Sequence, residues 1–184
     1  MSPLKKKLKK NDPHFNAAQF VYQLTDGIDL LQVDGFGYAT IMTIMAEVGL
    51  DLSKFPSAKH FVSWLALCPN KKVSGGKVLS SKSRKNKGRL AHAFRQAANA
   101  VGNQKNTYLS EFFHRLAYRK GRKTAIMATA RKLAIILYNM LEKGQPYQPY
   151  PVEEYMELVR IQKIKNFQRT MRRLKIEVSD LALT

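Results

Sequence analysis

Between Asp51 and Glu111 the chain has no acidic residue, yet twelve cations fall in that interval: Lys54, Lys59, Lys71, Lys72, Lys77, Lys82, Arg84, Lys85, Lys87, Arg89, Arg95 and Lys105. No carboxylate lies among them in the sequence, so a compact fold is expected to carry them on its surface. A solvated surface normally mixes both signs. Cations without acidic neighbours repel one another in the free protein and are stabilised on phosphates, which makes the middle third the expected contact surface. The whole chain has the same bias, with 32 Lys and Arg against 13 Asp and Glu and a formal charge of +19. That charge points to nucleic acid before an anionic membrane surface or an acidic protein.

With 184 residues, 45% of them hydrophobic, the chain holds material for one ordinary core plus tails. Glycine and proline punctuate helical periodicity. Asp34-Gly35-Phe36-Gly37 reads as a turn opening a helix over Tyr38 to Val48, with Gly49 as its C′ residue. Ser57 is placed to cap a second helix carrying Phe61, Trp64, Leu65 and Cys68 until Pro69, and a polar glycine-containing loop follows from Asn70 to about Lys87. Further helices are expected over Arg89 to Val101, Thr107 to Arg119 and Thr124 to Lys143, the last ended by Gly144 and Pro146. Beyond the proline-spaced linker, Val152 to Leu174 places Met156, Val159, Ile164, Phe167, Met171 and Leu174 at helical spacing. No strand pattern defines a sheet. The expected fold is mostly α: a compact helical domain with a helix-hairpin-helix-like turn, a basic Ser-Gly-Gly loop and a long C-terminal helix. The expected division is a basic tail and lead-in over 1–27, a helical domain over 28–145, and a linker with an amphipathic helix over 146–184.

The single cysteine, Cys68, lies in an apolar run and reads as a small core hydrophobe, consistent with a reducing compartment. His14, His60, His92 and His114 are scattered without a zinc-binding spacing, and Asp26, Asp29 and Asp34 fit capping and turn hydrogen bonds, so no metal ligand is assigned. No apolar run approaches the roughly 20 residues that span a bilayer.

Two segments can carry chemistry. The glycines Gly35 and Gly37 either let backbone amides approach a phosphate at a helix N-terminus or permit tight helix packing, and the residues alone leave both open. In Val73-Ser74-Gly75-Gly76-Lys77 the paired glycines expose the Ser74 hydroxyl, and Lys71, Lys72, Lys77, Lys82 and Lys85 can neutralise a phosphodiester beside it. A serine needs activation by a base, a metal or a cation; without one, this is a basic loop that grips phosphates. The segment is not a Walker A loop, because Lys71 stands where the first glycine belongs and Val78 where the hydroxyl belongs. Ser74-Gly75-Gly76-Lys77 also fits S-x-x-K, but the partner motifs of serine acyl-transfer enzymes are missing.

The order Val33-Asp34-Gly35-Phe36-Gly37, Ala46-Glu47-Val48-Gly49, Phe55-Pro56-Ser57-Ala58-Lys59-His60-Phe61, Trp64-Leu65-Ala66-Leu67-Cys68-Pro69 and Val73-Ser74-Gly75-Gly76-Lys77 resembles the C-terminal domain of insertion-sequence "one-ten" family transposases, the Piv/MooV-like recombinases. The resemblance continues through Lys123-Thr124-Ala125 to Leu133, and through Glu154-Tyr155 to Arg172-Arg173-Leu174. It implies a DNA recombinase that moves an insertion sequence, in which Ser74 inherits the nucleophile role with Lys77 beside it. It also implies a RuvC-like domain whose acidic residues hold Mg²⁺, a structured guide RNA in some members, and a homo-oligomer in the bacterial cytoplasm, associated with the nucleoid.

Only a lysine-rich tail precedes the turn at Asp34. The expectation is therefore the serine-bearing half of a transposase, needing a RuvC-like domain or a full-length transposase in trans, with Mg²⁺ entering only through that domain. The candidate phosphate contacts are Gly35, Gly37, Lys71, Lys72, Gly75, Gly76, Lys77, Lys82, Arg84, Lys85 and Arg89. The rival from another class is a non-catalytic basic nucleic-acid-binding protein; a membrane-surface role rests on charge and the last helix alone.

Overall fold

The computed structural model describes residues 15–85 and 88–175; the lysine-rich start and Lys87 lie outside them. The chain runs α1 (Ala17–Leu24), a 3-10 turn (Leu30–Gln32), α2 (Tyr38–Glu47), α3 (Ala58–Trp64), β1 (Lys72–Ser74), β2 (Lys77–Ser80), α4 (Arg89–Val101), α5 (Tyr108–Lys120), α6 (Arg122–Lys143) and α7 (Val152–Leu174). The described residues fall into two compact units, divided between Pro149 and Tyr150. The second is built on α7, along which Met156, Ile164, Phe167 and Leu174 are exposed. The protein is mostly helical, as the periodicity predicts.

In the first unit, α4 buries Leu90, Ala91, Phe94, Ala97, Ala98 and Val101, and α6 buries Ala125, Ala130, Leu133, Ala134 and Leu137. The alanines let helix axes approach closely, so these two helices pack against each other, with α2 also on α4 and α3 and α5 also on α6. Phe61 of α3 lies among the rings of Phe55, Trp64, Phe94 and Tyr138 at centroid distances of 5.1, 6.3, 6.4 and 6.1 Å. The Tyr138 hydroxyl donates to the Phe55 carbonyl at 2.7 Å, so the cluster is anchored by a polar bond as well as by ring contact. Between α5 and α6, the Lys132 ammonium sits over the Tyr108 and Phe112 rings at 4.3 and 4.5 Å and donates to the Tyr108 hydroxyl.

Four sequence expectations change. The lead-in contains α1, capped by Asn16, whose side-chain oxygen accepts from the Gln19 amide at 3.2 Å, and Ala17, Ala18 and Val21 enter the core. Helix α3 stops at Trp64 because Ala66 turns left-handed (φ 52°), with the Leu67 amide donating to the Val62 carbonyl and the Ala66 amide to the Ser63 carbonyl. This is a Schellman ending with alanine in the usual glycine place, completed before Pro69 is reached. Helix α6 begins at Arg122, ahead of Thr124. The expected loop after Asn70 contains a two-stranded antiparallel sheet, β1 with β2.

Several caps follow the sequence closely. Asp29 accepts from the Leu31 amide at 2.9 Å and caps the 3-10 turn, Gly49 follows α2 at φ 74°, and Gly144 ends α6 at φ 61°. Ser57 stands at the start of α3 but makes no side-chain cap, its hydroxyl meeting His60 Nδ1 at 2.9 Å instead.

At the Asp34 turn the two glycines differ. Gly35 has φ 82°, and a Cβ there would lie 2.5 Å from the Ala97 carbonyl oxygen and 2.7 Å from Val101 Cγ2. Gly37, the N-cap of α2, has φ −124°, and a Cβ there would meet nothing within 4 Å. Gly35→Ala is therefore expected to cost about 2–4 kcal/mol from overpacking and left-handed strain together, and Gly37→Ala to stay within about 0.5 kcal/mol of wild type, in urea unfolding.

Candidate nucleic-acid interface and serine site

Gly75 and Gly76 are both left-handed, at φ 54° and 74°, the conformation a two-residue type I′ hairpin turn demands. Around them Ser74 pairs with Lys77, Val73 with Val78 and Lys72 with Ser80, with a bulge between the last two pairs. The stem continues through the Asn70 amide donating to the Lys82 carbonyl at 3.2 Å and a bridge between Pro69 and Ser83. At about 3.3 Å per residue, the turn stands roughly 17 Å from the Pro69 end of the stem. Every residue from Asn70 to Leu79 is exposed, including Val73, Val78 and Leu79. The segment is a basic arm, held at its base where the Arg84 guanidinium donates to the Ser63 carbonyl at 2.8 Å.

Strand alternation and pairing put Lys72, Ser74 and Lys77 on one face of the arm and Val73 and Val78 on the other. Directly paired residues bring Cβ atoms to about 5 Å, which sets the Lys77 ammonium within reach of a phosphate at Ser74. Among the described residues, nothing hydrogen-bonds the Ser74 hydroxyl and no three His, Cys, Asp or Glu side chains gather into a metal-binding group.

The remaining candidates divide by position. Arg84 and Lys85 are exposed just beyond the stem. Arg89 opens α4, where a cation opposes the helix dipole, and Glu47 answers it with an ion pair of 2.8 Å. Gly37 and Glu47 bracket α2, so the glycine turn and the Arg89 start of α4 are separated by about 15 Å of helix. The sequence-predicted residues thus form two separate places. At the turn, Gly35 is occupied by packing on α4. Burial, then the nearby Asp34 carboxylate and Tyr108, push the Tyr147 phenol far above its ordinary range, so Tyr147 stays protonated beside that turn.

A second acid-free interval holds cations that are not among the sequence-predicted contacts. From Glu111 to Glu142 no carboxylate intervenes, and Arg115, Arg119, Lys120, Arg122, Lys123, Arg131 and Lys132 lie within it. Arg119, Lys120, Arg122 and Lys123 gather at the junction of α5 and α6, and the signal that finds them is the count of acid-free spans across the whole chain.

Isolated two-stranded hairpins are marginal in water, and this one buries no apolar side chain. The amides of Val73 to Leu79 are expected to exchange with solvent far faster than those of α4 and α6, and Gly76→Val to raise exchange within the arm while leaving global unfolding within about 0.5 kcal/mol. Glu47→Gln frees Arg89, and in an anisotropy titration with DNA a phosphate contact at Arg89 is expected to appear as a log–log salt slope steeper by about one unit than that of wild type.

The family model described as Transposase IS116/IS110/IS902 family matches residues 29–114. The match runs from the capped 3-10 turn through the glycine turn, α2, α3, the basic arm and α4 into α5. No curated protein and no solved structure matches the chain. The basic arm and the helices α2, α3 and α4 beside it are therefore the part of this protein that is similar to the transposase IS116/IS110/IS902 family.

Proposed function

We propose that this domain binds DNA as the serine-bearing part of a transposase that moves an insertion sequence, with Ser74 as nucleophile. The observation that carries the reading is the arm itself: a serine at the mouth of a Gly-Gly turn, exposed to solvent, flanked by Lys72 and Lys77 on its own face. Lys71, Lys82, Arg84 and Lys85 extend the positive track toward the stem, and Gly37 leaves the α2 N-terminus open to a further phosphate. Backbone amides at Gly75 and Gly76 have no Cβ between them and a ligand.

In strand transfer the Ser74 Oγ would bond to phosphorus, a deoxyribose oxygen would leave, and the serine proton would pass to a base. That base and any metal ligands must be brought to the tip, since the described residues gather neither. A RuvC-like domain, in trans or within a full-length transposase, would supply them. A structured guide RNA would lie on the same phosphate-binding surface.

The unpartnered Ser74 hydroxyl favours one other reading, a non-catalytic DNA-binding remnant. Mixing the protein with element-end DNA and a RuvC-like domain separates the two. Wild type is expected to give a covalent protein–DNA adduct that Ser74→Ala abolishes; equal adduct from both proteins overturns the nucleophile assignment, and salt-sensitive binding with no adduct from either supports the remnant. Replacing Lys71, Lys72, Lys77 and Lys82 together by alanine is expected to flatten the log–log salt slope by about 3–4 units.

A further inference from the structure

Tyr118 is 97% exposed, on the face of α5 opposite the buried Leu109 and Phe113. Nothing among the described residues covers its ring. It stands at a corner of unusual sharpness: α5 ends at Lys120, α6 starts at Arg122, and the single residue between them, Gly121, adopts φ 82° and ψ 157°, a region essentially closed to other residues. The corner is braced from inside. The Arg122 guanidinium donates to Asn99 Oδ1 at 2.7 Å and Asn103 Oδ1 at 3.1 Å, and lies 5.3 Å from the centre of the Phe113 ring. With Arg122 so engaged, Arg119, Lys120 and Lys123, all within five positions of Tyr118 at the corner, remain exposed without an ion pair among the described residues.

Asn99 and Asn103 mark the C-terminal end of α4, whereas the basic arm joins its N-terminal end. Thirteen residues of helix hold the two basic surfaces roughly 20 Å apart. The chemistry at each end differs. The arm offers cations and backbone amides suited to a phosphate track, while the corner adds a fully exposed aromatic face. A stacked duplex offers no base face to such a ring; an unpaired base does, and its flanking phosphates meet the cations.

We propose that the α5–α6 corner is a second nucleic-acid contact, which takes a single-stranded DNA segment by stacking a base on Tyr118 and holding its phosphates with Arg119, Lys120 and Lys123. The inference rests on the DNA-binding reading of the arm and gives the domain two grips, one for duplex and one for a strand released from it. Because Gly121 and Arg122 fix the corner before binding, little ordering cost falls on the contact.

The test is an anisotropy titration of the whole chain with fluorescein-labelled oligo(dT), oligo(U) and a duplex of equal length. Tyr118→Ala is expected to weaken oligo(dT) binding roughly ten-fold, Tyr118→Phe to bind as wild type, and duplex affinity to stay within about two-fold in both. Lys120→Ala with Lys123→Ala should flatten the oligo(dT) salt slope by one to two units, roughly. Thermal unfolding of each variant should match wild type, since these side chains are exposed. Unchanged oligo(dT) binding by Tyr118→Ala overturns the proposal, as does an equal loss on duplex and single strand, and a Tyr118 dependence stronger for oligo(U) than for oligo(dT) reassigns the surface to RNA. The triple variant Lys71→Ala, Lys72→Ala, Lys77→Ala isolates the other reading: if it binds duplex as wild type, the arm's role fails while the Tyr118 result stands or falls separately.

Discussion

Close packing of small residues on α4 is the constraint on which the first unit depends. Ala97 meets Gly35 so tightly that a methyl group at 35 would strike its carbonyl, and Ala91, Ala97 and Ala98 keep that helix slim enough to be covered by both α2 and α6. Phe94, on the same helix, joins Phe36 at 6.0 Å to Phe61 at 6.4 Å, so the turn region and α3 converge on one ring. With α4 packed along its length, its two ends are held at a fixed separation, whatever order the arm itself has. That arrangement lets two basic surfaces, each too polar to stabilise itself, occupy defined places on one domain.

Most helices are legible in the sequence because each repeats an apolar stripe over several turns and ends on glycine or proline. Helices α4 and α7 match their expected bounds, and Gly49 and Gly144 do what a C′ glycine should. Helix α3 is shorter than its periodicity predicts because the Schellman bonds at Ala66 end it before the proline; alanine in a left-handed place gives no sequence signal. The β-hairpin is hidden for a different reason. Lys72-Val73-Ser74 and Lys77-Val78-Leu79-Ser80 are too short for convincing alternation, and their apolar members face solvent, so the usual in-and-out pattern has no inside. The Gly-Gly dipeptide between them is the available clue.

Of the candidate site, Ser74, its glycines and the neighbouring lysines are readable from composition alone, and the structure places them on a single arm. What composition cannot decide is the work of each glycine. Gly35 and Gly37 look equivalent in a G-x-G signal, yet one is needed by α4 and the other is open. Arg89 likewise counts as a free cation in the sequence and is paired with Glu47 in the fold, across 42 positions that no local rule connects. The α5–α6 corner is masked by Glu111: a single carboxylate, with acid-free chain on both sides, interrupts a basic region that continues to Glu142.

The exposure of Ser74 has a chemical meaning when set beside the packed interior. A hydroxyl in water with no base is a poor nucleophile, so the proposed reaction at Ser74 would require a proton acceptor brought to the arm. A buried serine with a preset base would need the DNA to enter a cleft. On the proposed reading a serine on a projecting turn reverses the problem: the nucleophile would be carried to the phosphodiester, and a partner surface assembled around it would complete the site. On the proposed reading Lys77, across the strand pair, would serve both stages, first drawing phosphate to the tip and then offsetting the charge that develops on its oxygens. The low intrinsic stability of the hairpin fits this use, because an arm that gains order on phosphate can adapt to a partner that a rigid loop would exclude.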